Sequence, residues 1–336
     1  IIYFPQGIYP LIPTIKINKG LKIIGDNGHA QYLGGDSGLS YNGTMLYDVS
    51  EIENSNLFLQ VGTFDDIDNP SKNRIWGFSM EGIRIQGNSQ KHDAINFIKT
   101  GWVSTIRNVY IDNFKGCGIK TYCCYDTNLD SITIRNCYSN VDGVKYSLEL
   151  DSGLNDVTNA WHFNSLHIEV SRYLINLNKC RHITFVNSKF EQNDGTCNND
   201  NTNAPIYVSQ NALEVNFIGS MFIPISINHW RTKINDTLFI PPHFILLENI
   251  QNSGFTAITS SYFTSPDAKG SKLIKSNNGC VIISNSILNT CSGFVYGIEL
   301  IGGKNELINN KIDCIREGDV NLPIYHGTSD EILSAG

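Results

Sequence analysis

A short phrase, apolar-x-(Asn/Gly/Ser/Met)-x-x-apolar, recurs along most of this 336-residue chain. It stands at 78–83, 106–111, 163–168, 185–190, 217–222, 258–263, 282–287 and 307–312, with a degenerate copy at 134–139. Successive copies lie 22 to 41 residues apart, the length of one coil of a stacked solenoid, with two coils enlarged by loops. One coil cannot bury its inward side chains alone, whereas stacked coils form a continuous apolar column. The small polar residue at the third position suits a tight bend, and Asn there tolerates left-handed backbone. A β-sandwich has similarly short strands, but these return roughly every 8–12 residues. The phrase therefore predicts a single all-β parallel solenoid, with Ile106, Ile134, Phe163, Phe185, Phe217, Ile258, Ile282 and Leu307 facing inward as one ladder.

Composition agrees. Hydrophobic residues make up 41% of the chain, enough for a large core, while only three Met occur and no amphipathic pattern is long enough for a helical domain. A net charge of −7 argues against a nucleic-acid partner, since binding phosphates needs a basic surface. No apolar run reaches about 18 residues, so no membrane insertion is expected. The nine cysteines are odd in number, lack zinc-type spacing, and include the adjacent pair Cys123-Cys124, where a disulfide would be strained. They read as free thiols packed as small hydrophobes, which fits folding in a reducing cytoplasm. Zinc-protease, P-loop and nucleophile-elbow motifs are absent, and no cofactor or metal is expected.

The opening segment runs Ile1-Ile-Tyr-Phe-Pro-Gln-Gly-Ile-Tyr9, then Leu21-Lys-Ile-Ile-Gly-Asp-Asn-Gly28. This resembles the first coil of the pectate-lyase-like, right-handed parallel β-helix family, which includes bacteriophage tailspikes and capsule depolymerases. The Asn-Thr-Asp and Gly-His-Gly signatures of polygalacturonases and the Arg-x-Pro-x-x-Arg segment of calcium pectate lyases are missing. The resemblance implies a homotrimer carried on the virion, made in the bacterial host cytoplasm, whose partner is a bacterial surface polysaccharide. The expected organisation is one β-helix over 1–316, preceded by a missing N-terminal part, and a cap or tail over 317–336. Two long loops, Gln192 to Pro205 and Ile223 to Asn252, leave the coils just after Glu191 and are expected to wall a site.

The strongest chemical signal is a phrase written twice. Phe163-Asn-Ser-Leu-His-Ile is followed by Glu169, and Phe185-Val-Asn-Ser-Lys-Phe by Glu191, 22 residues on. Equivalent positions of adjacent coils lie about 4.8 Å apart, so two carboxylates would stand side by side. Such a pair is common equipment for glycosidic cleavage, one group as acid and the other as base or nucleophile. Solvated ladder residues are the bland alternative. Asp194 is a third catalytic candidate, with Asp142, Glu149 and Asp151 in reserve. The column after the phrase reads Asp112, Asn140, Glu169, Glu191, Ile223, Thr264, Leu288, Asp313. His162, His167, Arg172, Arg181 and His182 crowd the same coils and suit an acidic sugar, while Trp161, Tyr173 and Trp230 are candidates for stacking on sugar rings. The expected reaction is endo-hydrolysis of capsule or O-antigen. A lyase would instead use His167, Lys189 or Tyr138 as base beside Arg172 or Arg181; a non-catalytic glycan adhesin is the third alternative.

Overall fold

The computed structural model describes residues 1–12, 14–29, 32–35, 38–49, 57–66, 69, 72–88, 93–138, 144–153, 156–192, 204–223, 243–248, 255–264, 272–277, 280–289, 296–301, 305–313, 324–326 and 332–335. Two compact units are present, Ile1–His167 and Ile168–Gly336. Each is a parallel β-helix. No helix occurs among the described residues, and the antiparallel hairpin Tyr32–Gly35 with Gly38–Tyr41 stands apart from the otherwise parallel pairing.

In the first unit one stack runs through Lys22–Gly25 and Thr44–Asp48 to Ser79–Gln86, Ser104–Phe114 and Tyr125–Cys137. A second stack contains Ile15–Ile17, Leu57–Val61, Asp93–Ile98, Ile119–Tyr122 and Leu148–Asp151. Register places Leu59, Ile95, Ile119 and Leu148 in one buried column, and Met80, Ile106 and Leu129 in another.

The second unit builds each coil from three strands. One stack is Cys180–Val186, Leu213–Ile218, Thr256–Thr259, Val281–Ser284 and Asn305–Ile308. A bend leads to the next, Lys189–Gln192, Met221–Ile223, Tyr262–Thr264, Ile287–Asn289 and Lys311–Asp313. The third is Ile175–Leu177, Ile206–Val208, His243–Leu247, Lys272–Asn277 and Tyr296–Ile301. Within 317–336, Ile324–His326 and Ile332–Ala335 add one further strand to the third and first stacks. Phe185 and Phe217 stack face to face at 4.9 Å, as do Phe222 and Phe263 at 4.5 Å, so aromatic ladders fill this core.

The bends explain the repeated phrase. Asn108, Ser165, Asn187, Gly219, Ser260 and Asn309, each the third residue of a copy, all have φ between 49° and 58°. Three copies need correction. In the register Met80 pairs with Ile106 and Ile106 with Leu129, so the first and degenerate copies belong at 80–85 and 129–134, with bends at Gly82 (φ 68°) and Ser131 (φ 56°). Ile258 pairs with Ile283, which places the eighth copy at 283–288 with its bend at Asn285. Ile283 is therefore the buried rung and Ile282 lies half-buried beside it, because a one-residue shift in a strand reverses the face. The other expected ladder residues are buried, although Ile134 stacks on Ile111 rather than on Ile106.

Candidate functional site

The strand Thr158–Ser171 alternates through a buried Ile168, so Glu169 turns outward. In Lys189–Gln192 the buried Phe190 and Gln192 likewise leave Lys189 and Glu191 outside. The Gln192 side-chain amide donates to the Arg172 carbonyl at 3.1 Å, which anchors the strand next to Glu191. Carboxylate oxygens of Glu169 and Glu191 come within 4.8 Å of each other. The Lys189 ammonium lies 2.6 Å from Glu191 Oε2 and offsets the repulsion between the two acids. Val170, directly after Glu169, has φ 51°. A β-branched residue in left-handed backbone costs about 1–3 kcal/mol and persists only where its surroundings impose it, a pattern concentrated at functional sites. Two carboxylates are a partial donor set for a hard cation, but Lys189 already supplies positive charge to one of them.

His167 precedes Glu169 by two residues on the same strand and is half-buried, as is Arg181 on Cys180–Val186. His162 is exposed, and His182 Nε2 contacts the Glu214 carboxylate. Three expected sugar contacts are corrected by burial. Trp161 and Tyr173 have no accessible surface and Arg172 is 6% exposed, so none offers a ring face or guanidinium to a glycan. Trp161 instead packs against Phe97 at 5.7 Å and Phe163 at 6.0 Å in the first unit's core. Its apolar area outweighs what a surface site would gain from it. Of the reserve acids, Glu149 is buried and holds Lys120 at 2.9 Å, and Asp151 accepts the Ser152 amide. Burial opposes the Lys120 charge, yet the Glu149 carboxylate prevails and holds the ammonium above the usual lysine range. Asp194, Trp230, Asp142 and most of both long loops lie outside the described residues.

The expected outer column also changes. Asp112 is flanked by Gln86 and Arg135, Leu288 faces the core, and the column after Thr264 continues through Asn289 and Asp313. The new register around Asp112 exposes a site that the sequence argument missed. Ile83-Arg-Ile-Gln-Gly87, Val109-Tyr-Ile-Asp-Asn113 and Ile132-Thr-Ile-Arg-Asn136 lie over one another, with the aliphatic residues buried and the others forming polar columns. Arg84, Gln86, Tyr110, Asp112 and Arg135 border a cavity of about 840 Å³ in the first unit. Arg84 Nη2 donates to Asp112 Oδ2 at 2.7 Å, and its guanidinium carbon lies 4.4 Å from the centre of the Tyr110 ring. Arg135 Nη1 stands 3.6 Å from the same Asp112 oxygen. The three aligned five-residue segments were the available signal, hidden by placing the first and degenerate copies at the wrong residues.

No protein-family model matches the chain. A capsule depolymerase of Klebsiella phage KN3-1, described as specific for capsule KN3, is 33% identical over 122 residues, covering 35% of this chain and 15% of that protein. ORF18 of Geobacillus virus E2 has a similar structure, with a TM-score of 0.62 and 15% identity over 99% of this chain and 53% of that one. The surface adhesin PfbA of Streptococcus pneumoniae follows at a TM-score of 0.57 and 13% identity, over 92% of this chain and 82% of the adhesin. The chain thus spans a minor part of the phage depolymerase it matches, and at these identities the structural likeness is one of fold. That fold is the parallel β-helix class which the opening coil resembles.

Proposed function

We propose that this chain is the glycan-cleaving part of a phage tailspike depolymerase, acting on a bacterial capsule or O-antigen by endo-hydrolysis at Glu169 and Glu191. The similarity to a phage capsule depolymerase carries the substrate class. The juxtaposed outward carboxylates support the reaction and its location. Lys189 gives Glu191 the counter-charge an anion needs, so Glu191 is the nucleophile and Glu169 the acid that protonates the leaving oxygen. The nearest oxygens within 4.8 Å put both carboxyls within reach of one glycosidic bond. His167, Arg181 and Trp230 are the proposed glycan contacts, and Asp194 is the third proposed catalytic residue. In the virion the chain works as a homotrimer, the arrangement its tailspike resemblance implies.

The test is release of reducing ends from purified capsule. Glu169→Gln and Glu191→Gln should each lower turnover by about a hundredfold or more with fold and glycan binding preserved. Gln keeps the shape and removes the proton and charge. Near-wild-type turnover in both variants would refute the pair, and an unsaturated uronate at the new end would replace hydrolysis by elimination.

A further inference from the structure

Two of the chain's four tryptophans lie side by side at the surface of the first unit. Trp76 is 48% and Trp102 60% exposed, with ring centres 5.1 Å apart and planes tilted by 55°, and Val103 follows at 79%. We propose that this pair is a binding platform for the C–H faces of pyranose rings in a glycan chain, separate from the chemistry assigned to Glu169 and Glu191.

The local backbone is built around the pair. Ile75–Trp76 runs parallel to Thr100–Gly101 with Trp76 opposite Gly101, and the Gly77 amide donates to the Trp102 carbonyl at 3.1 Å. A Cβ on Gly101 would lie 2.9 Å from Trp76 Cζ3 and 2.8 Å from Arg74 Cδ, so a glycine is what lets the Trp76 ring lie against the next coil. The chain bends directly after each indole, at Gly77 with φ 67° and Val103 with φ 62°. Tyr125 and Asp126 repeat the pattern one coil on: Trp102 and Tyr125 each stand two residues before the paired Ser104 and Thr127, and Asp126 has φ 47°. An aromatic residue followed by left-handed backbone thus recurs in three successive coils. Glycine adopts that backbone freely, whereas Val103 is β-branched and stands largely in water, so its own packing does not explain the strain it carries. Strain kept at an exposed corner points to a constrained site.

Arg74 fixes the base of the platform. It is buried, its guanidinium carbon lies 3.9 Å from the centre of the Tyr125 ring, and its Nη2 stands 3.3 Å from Asp156 Oδ2. The Tyr125 hydroxyl donates to the other Asp156 oxygen. Arg74 Nη1 donates to the carbonyls of Thr100 at 3.2 Å and Cys123 at 2.7 Å, each two residues before an aromatic of the column. The backbone carrying Trp102 and Tyr125 is therefore set before any ligand arrives, which lowers the ordering cost of binding.

Size and chemistry select the occupant. The two indoles and Val103 present roughly 400 Å² of apolar surface, within the range of the largest patches on soluble chains, which are often functional. That is about half of what each partner of a stable protein interface buries, too little by itself to hold a second copy. An aromatic face carries partial negative charge and attracts the polarised C–H groups of a sugar ring. Two faces tilted by 55° suit consecutive rings of a chain better than a single sugar.

The natural glycan's identity rests on the depolymerase reading; the platform does not. In Trp230→Phe protein the remaining indoles are the pair and Trp161, which has no accessible surface, so acrylamide quenching of tryptophan fluorescence reports on the pair. The probes are cellohexaose, mannohexaose and galactohexaose. At least one should protect the indoles from acrylamide with a saturating dose curve. Trp76→Ala and Trp102→Ala, added singly, should each raise the half-saturating concentration by about tenfold or more with the melting temperature held, and Trp102→Phe, which keeps a ring face, should raise it less. Phe64→Ala removes an exposed ring that packs on Tyr122 at 5.7 Å and should leave protection unchanged. Protection by no probe, or protection surviving both Ala variants, would overturn the platform. So would sedimentation in which Trp102→Ala dissociates an oligomer whose indoles are already shielded without sugar, since the patch would then be a contact between copies. Capsule cleavage is read separately on the unmutated protein: cleavage without sugar protection of the pair removes only the platform, and protection without cleavage removes only the depolymerase reading.

Discussion

Lys99 is fully buried, and its ammonium meets backbone rather than a carboxylate at hydrogen-bond range. Its Nζ donates to the carbonyls of Asp65 at 2.7 Å and of Asp66 and Lys72 at 2.9 Å, with that of Asn69 at 3.5 Å, so one side chain gathers four surface residues from inside. Replacing it with Met keeps most of the stem and removes the donor. Lys99 has φ 50°, a backbone cost Met shares, so the variant isolates the ammonium. Three hydrogen bonds from a charged donor are worth about 1.5–3 kcal/mol each. Against their sum stands the desolvation of a buried ion, on the order of several kcal/mol. The net expected loss is about 2–4 kcal/mol, or roughly 4–16 °C in the melting temperature of a unit this size. The segment should also open locally before the unit melts, since Asp65, Asp66, Asn69 and Lys72 are otherwise at the surface. Differential scanning calorimetry with limited proteolysis, mapping cuts between Thr63 and Arg74, reads both effects. A Lys99→Met protein melting within about a degree of the parent, with that segment still protected, would refute the reasoning.

Other perturbations test the same physics elsewhere. Phe217 is stacked on Phe185 and set edge-on to Phe190 and Phe222 at 5.8 and 5.5 Å, so Phe217→Ala should cost about 3–5 kcal/mol in urea unfolding. Gly82 has φ 68° and an added Cβ would lie 2.4 Å from the Gly25 carbonyl, whereas Gly77 at φ 67° has open space around it. Both Ala variants should lose about 1–2 kcal/mol to left-handed backbone, and only Gly82→Ala should lose more; equal losses would mean the contact yields freely. Burial pushes the Cys124 thiol up to about 11, and the raised folded value means its stabilising contribution is complete below the unfolded thiol's pKa of about 8.5 and is lost as pH rises through the folded value. The urea midpoint should fall across that window, and Cys124→Ala should flatten the fall; an identical slope in the variant would exclude the thiol as its cause.

Much of the fold was legible in the sequence because it is encoded locally. A bend needs a residue that accepts φ near 50°, a core rung needs an apolar residue beside it, and both recur in each copy of the phrase. Glu169 and Glu191 were legible for the same reason, since each directly follows a copy of the phrase and the two copies lie 22 residues apart. What only the tertiary structure decided was register wherever adjacent residues qualify equally. Ile282 and Ile283 are chemically the same, and the choice between them is made by Ile258 below and Leu307 above. The cavity around Asp112 depends on that kind of choice made across three coils, so the sequence presented Arg84, Asp112 and Arg135 without showing that they meet. Trp161 and Tyr173 are equally suited to a wet or a dry surface, and the packing around them determined which they occupy. Lys99 is the extreme case: its residue type points to solvent, and only the four inward carbonyls make burial of its charge the lower free energy.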